Sequence, residues 1–234
     1  MTFVLNLLHK DFSLLAADRQ GNSDGPVTIT AGGMTIHING QAKIEGMNKL
    51  TISGNKKLAL GIAGNTSDHG YRDEFANCDT PEQGIRCIHQ HMESYFNFSE
   101  REFFLDGKPQ MENSVLLTFF DKEKSAYFTN MNLFTKFSNH TNLTARRQNA
   151  SPILCHIGSG SSHFEKAVGF DAINEFIKDV ASGADLTAQL KWFQEAFSKV
   201  SAVAPGCGST FDAVLSTRDN PEFVCVGEGR REST

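Results

Sequence analysis

Residues 1–18 read MTFVLNLLHKDFSLLAAD. Two apolar runs, Phe3 to Leu8 and Phe12 to Ala17, flank Leu8-His9-Lys10-Asp11. Each is too short for a helix of ordinary length, and together they read as a buried hairpin that opens the fold. The first eight residues resemble a signal segment only in apolarity. No basic stretch precedes them, no small-residue cleavage site follows, and Lys10 and Asp11 cut the run short, so the reading is a cytoplasmic protein. The later apolar runs, such as Leu58 to Ala63, fall far below the ~20 residues of a membrane span.

Working outward, a Gly-rich stretch from Arg19 to Gly33 encloses a candidate strand, Val27 to Thr30, and Met34 to Ile38 alternates as another. Leu50 to Ile52 and Leu58 to Ala63 are strands around a Ser53-Gly54-Asn55 turn. A helix is expected from about Gly70, capped by Ser67 or Asp68, and a second over Pro81 to Tyr95, entered after Thr80 with Pro in its first turn. Ser114 to Phe120 and Ser125 to Thr129 form a hairpin, and Ile153 to Ile157 a further strand. One amphipathic helix then carries Phe164, Val168, Ile173, Phe176, Ile177 and Val180, with Ser161 or Ser162 as its cap. Another carries Leu186, Leu190, Phe193, Phe197 and Val200 and ends at Pro205 and Gly206. Phe211 to Leu215 and Phe223 to Val226 close as strands.

This order is not the βα alternation of a parallel sheet. It predicts an α+β fold, a four-layer αββα sandwich of two antiparallel sheets between helix layers. No linker or repeat divides the chain, so residues 2–227 are expected to form one domain and 228–234 a flexible tail. Composition agrees with a globular chain: 234 residues, 39% apolar and 21% charged. The net charge of −5 lacks the basic footprint of a sequence-independent nucleic-acid binder. Five cysteines, Cys78, Cys87, Cys155, Cys207 and Cys225, are widely spaced without CxxC. Neither a disulfide framework nor a zinc ribbon is indicated, and no cofactor or metal is expected.

Several features carry ordinary explanations. Gly158-Ser159-Gly160-Ser161-Ser162 lies between a strand and a helix, where backbone N–H groups cradle anions, but it lacks a Walker lysine and the third glycine of a dinucleotide loop. Cys87 and His91 share a helix face without a second ligand pair. His156 and His163 flank Ser159, yet the loop is not a GxSxG elbow.

Thr2 is more informative. Removal of Met1 before a small residue would put a hydroxyl and a free amine on one residue. An α-amine titrates at ~7.7–8 and serves as a base near neutral pH. A threonine activated by its own amine is an established nucleophile arrangement. Many ordinary chains also begin Met-Thr, so the position gains meaning from the residues downstream. Ala16-Ala17-Asp18 ends the hairpin, Asn48-Lys49-Leu50-Thr51-Ile52 succeeds it, and then come Gly61-Ile62-Ala63-Gly64-Asn65 and Ile157-Gly158-Ser159-Gly160.

In this order the chain resembles the proteasome family of N-terminal nucleophile hydrolases. It looks most like the bacterial HslV-type branch and, within it, the betaproteobacterial proteasome homologues. The resemblance runs from Thr2 to about residue 217. It implies Thr2 as nucleophile, Asp18 as the acid sixteen residues on, and Lys49 as the lysine between them; Lys43, Lys56 and Lys57 are the rivals for that role. It further implies the Gly64 N–H as oxyanion donor, Ser159 as the serine beside the amine, and Ser209 as a supporting serine. Gly21, Ile62 and Asn65 would contact substrate. The electrostatics are consistent: a nearby lysine cation lowers the amine pKa, and a carboxylate supplies its counter-charge.

Two departures stand out. Asp18 and Lys49 are 31 positions apart, about twice the family spacing, so the segment around Gly21 to Gly40 reads as an insertion over the site, carrying Thr28, Thr30, Thr35 and His37. Gly206 occupies the position of a family aspartate, three residues before Ser209. The stretch Asn97 to Asn113 is also long.

The resemblance implies a self-compartmentalising threonine peptidase acting on peptides or unfolded proteins, assembled as a homo-oligomeric double ring. A tetradecamer is favoured over a dodecamer. An AAA+ unfoldase partner is an open question, and neither nucleic acid nor membrane is an expected partner. The alternatives are an inactive ring serving as scaffold, which Gly206 motivates, a small-molecule amidase of the same nucleophile class, and an adaptor without chemistry.

Overall fold

The computed structural model describes residues 2–23, 27–31, 34–38, 42–44, 46–64, 70–98, 104–105, 108–109, 112–135, 141–146, 151–204 and 206–226. The opening hairpin is β1 (Val4–Leu8) and β2 (Phe12–Asp18), in antiparallel register from Val4 opposite Ala17 to Leu8 opposite Ser13. The His9 N–H closes it on the Phe12 carbonyl at 2.8 Å. Two short strands of the Gly-rich region and two beyond it come next: β3 (Gly21–Ser23), β4 (Val27–Ala31), β5 (Met34–Ile38) and β6 (Ala42–Ile44). β3 pairs with β6 and β4 with β5. After them lie β7 (Leu50–Ile52), β8 (Leu58–Ala63), α1 (Gly70–Ala76) and α2 (Pro81–Phe98). Then come β9 (Phe104–Leu105), β10 (Lys108–Pro109), β11 (Glu112–Asp121), β12 (Ala126–Thr135), β13 (Thr141–Arg146) and β14 (Ile153–Ile157). The chain continues with α3 (Ser161–Val168), α4 (Phe170–Ala181), α5 (Leu186–Val203), β15 (Phe211–Thr217) and β16 (Val224–Cys225).

These elements make an α+β fold with two five-stranded antiparallel sheets, ordered β14-β1-β2-β15-β16 and β13-β12-β11-β8-β7. Every residue of β1 and β8 is buried, as continuous rather than alternating apolar runs require. The two-residue period still sorts β1 and β2 between two neighbours. Leu5, Leu7, Leu14 and Ala16 join Phe164, Phe176, Phe193 and Phe197 of α3, α4 and α5. Val4, Leu15 and Ala17 meet Leu50, Ala59, Ala63 and Leu116 of the second sheet. Leu58, Leu60 and Ile62, from the opposite face of β8, pack with Tyr71, Phe75 and Ile88 of α1 and α2. Among the described residues, no helix is long and apolar enough to cross a membrane.

The local signals act as expected in several places. Thr80 Oγ accepts from Gln83 N at 3.3 Å while Gln83 Oε1 accepts from Thr80 N at 3.2 Å, a reciprocal cap that starts α2. α2 reaches Phe98 instead of Tyr95. Asp185 caps α5 through Ala188 N at 2.8 Å.

Other expectations are corrected. The single helix expected from Phe164 to Val180 is two, broken at Gly169, whose φ of 94° is left-handed. Neither Ser161 nor Ser162 caps α3; Gly160 holds that position without a side-chain bond. The short pairs β3–β6 and β9–β10 and the strand β13 have no counterpart in the sequence reading. The expected caps Ser67 and Asp68, the helix stop Pro205 and the tail 228–234 lie outside the described residues.

Candidate active site

The open end of the hairpin, opposite its turn, gathers the expected groups. Thr2 precedes β1 and Asp18 ends β2, so strand pairing brings them together; Asp18 N donates to the Phe3 carbonyl at 3.0 Å. The Asp18 carboxylate is fully buried and accepts from four directions. Its Oδ1 takes Phe3 N at 2.8 Å and Lys49 Nζ at 2.9 Å, and its Oδ2 takes Gly208 N at 2.8 Å and Gln20 N at 3.2 Å. A buried carboxylate needs such donors, since desolvation alone would disfavour its charge.

Lys49 is 3% exposed, and its ammonium also donates to the Gln20 carbonyl. Its backbone carbonyl accepts from Ile62 N at 3.1 Å, which ties it to β8. Burial lowers its pKa below the ordinary lysine value, and the Asp18 charge opposes that shift. Among its three rivals, Lys56 and Lys57 are exposed in the β7–β8 turn.

Ser159 comes just after β14, the neighbour of β1. Thr2 N donates to Ser159 Oγ at 3.1 Å, and Gly160 N donates to the Thr2 carbonyl at 3.2 Å. Gly158 makes this approach possible. Its φ is 94°, and a Cβ there would overlap the Thr2 carbonyl oxygen and come within 2.9 Å of Ala63 Cβ. The same contacts place the Ala63-Gly64 step next to Thr2. Gly64 is exposed with φ 124°, a conformation that glycine supplies without strain.

The other expected residues are arranged differently. Gly21 is buried at the start of β3, opposite Ile44 of β6, with no room for a Cβ beside Met47 Sδ. Ile62 is buried in the cluster under α1 and α2, on the face of β8 away from Ala63. Ser209 is exposed and its carbonyl accepts from Gln194 Nε2 at 3.0 Å, so no described contact joins it to Thr2. Asn65 lies outside the described residues, as do the side chains of Thr28, Thr30, Thr35 and His37. Asp212, near the vacant aspartate position, sits in β15 and faces Arg19 Nε at 3.7 Å.

Sequence reading misses two contributors, Cys207 and Gly208. Cys207 is buried beside the site; burial first, then the Asp18 charge, push its pKa up to about 11. Gly208 packs so tightly that a Cβ would fall 2.9 Å from Gln20 Cβ. The Gly-Cys-Gly run is the available signal, but in the sequence it serves only to set the offset to Ser209.

The remaining candidates stay structural. His156 is half-buried against the Phe164 ring at 4.9 Å, and desolvation lowers its pKa. Burial likewise pushes Cys87 up to about 12. Among the described residues no group of three His, Cys, Asp or Glu is placed to hold a metal.

No family model matches this chain, and no curated protein is significantly similar to it.

Proposed function

We propose that the chain is a threonine-type endopeptidase whose nucleophile is Thr2, its amine freed by cleavage of the peptide bond before it. One observation carries the reading: the Thr2 nitrogen meets Ser159 at 3.1 Å beside a fully buried Asp18–Lys49 pair, all at the open end of one hairpin. Four groups drawn from four separate parts of the chain converge there. A solvated lysine or an ordinary turn aspartate does not need that burial.

In this reading the free amine takes the Thr2 Oγ proton as the oxygen attacks a peptide carbonyl. Lys49, held by Asp18, penalises a second positive charge nearby and keeps the amine basic in its neutral form. The Gly64 N–H stabilises the tetrahedral oxyanion. The amine then protonates the departing peptide amine, leaving an acyl ester on Thr2, and water releases it. The peptide would lie along the edges near Gly21 and Gly64 as an added strand.

The packing of helices against the outer face of each sheet supports the four-layer αββα arrangement and a single domain. We carry the homo-oligomeric double ring as part of the same proposal, since closed symmetry reuses one set of contacts. Native mass spectrometry of the processed chain counts its subunits, and a monomer would end that part of the reading.

The deciding experiment is the intact mass of the processed chain before and after a peptide epoxyketone, which closes a ring on a hydroxyl and an amine of the same residue. One adduct per chain, absent in T2A, is the expected result. A processed chain that forms no adduct would favour the scaffold reading, which the absence of a carboxylate at Gly206 motivates.

A further inference from the structure

In the proposed reaction Lys49 acts from a fixed place, and the bonds around its backbone show what fixes it. The residue lies just ahead of β7. Its own carbonyl accepts from Ile62 N at 3.1 Å, and the next amide, Leu50 N, donates to Asn48 Oδ1 at 3.1 Å. Those two bonds hold the peptide after Lys49. The peptide before it is held from the helix layer, where Arg72 Nη2 of α1 donates to the Asn48 carbonyl.

This tether needs a long side chain. At its other end α1 is pinned to the β7–β8 turn, where Gly54 N donates to the Ala76 carbonyl at 2.7 Å. Arg72 lies four residues earlier in the helix, about 6 Å along its axis. Asn48 to Ile52 alone cover about 13 Å in extended form. The arginine stem crosses the difference. The guanidinium is backed by a buried ring, since its Cζ stands 5.8 Å from the centre of Tyr71.

Stability gives little reason for a cation here. Arg72 Nε is buried with no hydrogen-bond partner, and an unpaired N–H on a cation counts against the fold. Asn48 is half-buried, where water can take over the carbonyl's bond.

We propose that Arg72 is a positioning residue: by holding the Asn48 carbonyl it sets the Lys49 backbone, and so the ammonium that meets Asp18 Oδ1 at 2.9 Å. This rests on the reading of Thr2 as nucleophile. The described contacts of Arg72 are with Asn48 and Tyr71, not with Thr2, Ser159 or Gly64. Its effect therefore passes through Lys49. Released, the Asn48–Lys49 peptide can turn, and the four-carbon stem of Lys49 carries a small rotation at Cα into a larger displacement at Nζ. A misplacement of ~1 Å in a catalytic constellation costs up to ~100-fold in rate. The loss here is smaller, because Asp18 and the Gln20 carbonyl still draw the ammonium back.

The test uses the processed full chain on a peptide amide, with kcat and KM separated, for wild type, R72M and R72K. Melting temperature and the rate of epoxyketone adduct formation are read on each, and on K49M and K49M/R72M. R72M is expected to lower kcat about tenfold with KM within about twofold. R72K, which keeps a donor of similar reach, recovers most of that loss. Melting temperature stays within about 3 °C in both. In the K49M background, R72M changes the adduct rate by less than about twofold, since the group it positions is gone. An unchanged kcat in R72M would overturn the assignment, as would a rise in KM alone, which marks a substrate contact. So would a tenfold loss that persists without Lys49, a loss in both R72M and R72K that tracks melting temperature, or an R72M chain that does not fold. In each of these cases a wild-type adduct on Thr2 leaves the nucleophile reading intact, whereas its absence removes both.

Discussion

At the scale of single residues, the Asp18–Lys49 pair is asymmetric. Asp18 accepts from Lys49 and from three backbone N–H groups, at Phe3, Gln20 and Gly208. Those three donors belong to the fold and remain if Lys49 is replaced. Lys49 depends more heavily on Asp18, because its ammonium is buried and burial already works against its charge. D18N should therefore cost more stability than K49M, although each removes one member of the same pair. Loss of the carboxylate takes the Asp18 counter-charge from a buried cation and sets an amide against donors, at a cost of about 3 kcal/mol or more. K49M leaves a carboxylate that still has three hydrogen bonds and should cost about half as much. Urea midpoints with matched m-values measure the difference, and equal losses would show that the backbone donors contribute nothing. On the proposed reading of Thr2 as nucleophile, peptide turnover should fall by at least ~100-fold in both, since each variant breaks the Asp18–Lys49 pair that the reading relies on.

The element that matters most is the turn from β14 into α3. Gly158 and Gly160 bracket Ser159 and allow the Thr2–Phe3 backbone to pass; a Cβ at Gly160 would lie 2.7 Å from Phe3 Cβ. G158A meets backbone on one side and β8 on the other, in a left-handed conformation. It should destabilise the chain by about 3 kcal/mol or more, and any folded fraction should lose the epoxyketone adduct. G169A has the same sign of φ but open space around its Cβ, and so is the matched control, losing only about 1–2 kcal/mol of strain. Equal melting temperatures for the two would refute the argument from close approach. At this scale the sequence is legible where pattern and punctuation agree. β5 and β14 have their expected bounds, because apolar alternation or a short apolar run ends at turn residues. The α3–α4 break escapes a periodicity reading, although the five-residue gap from Val168 to Ile173 marks it. β13, Thr-Asn-Leu-Thr-Ala-Arg, has too little apolar character to signal a strand and exists by pairing with β12.

Across the whole molecule, the site is a product of contacts that composition cannot reveal. Thr2, Asp18, Lys49 and Ser159 are legible because their order resembles a known arrangement, not because spacing implies proximity. Cys207 and Gly208, 189 and 190 positions beyond Asp18, have no such guide. The same limit hides the polar seam between the sheets. Asn6 sits in the middle of an otherwise apolar strand and reads as part of it. In the fold its side-chain amide donates to Thr129 Oγ of β12, and its Oδ1 accepts from Ser13 Oγ at 3.1 Å. Ser13 in turn lies 3.1 Å from Thr118 Oγ of β11, and all four residues are fully buried. A satisfied network of this kind fixes how the two sheets slide on each other, since any shift separates every pair at once. N6L removes the hub and leaves Ser13 and Thr129 buried without it. It should cost about 2–3 kcal/mol even though it adds apolar surface. Replacing Ser13 and Thr129 as well, by S13A and T129V, removes the stranded groups and should recover at least half of that loss. If the triple variant is instead less stable than N6L alone, the seam contributes by packing and not by hydrogen-bond pairing. The epoxyketone adduct then reports the cost to the site: Asn6 and Thr2 share the β1 segment, and a sheet free to slip would loosen Thr2 from Ser159.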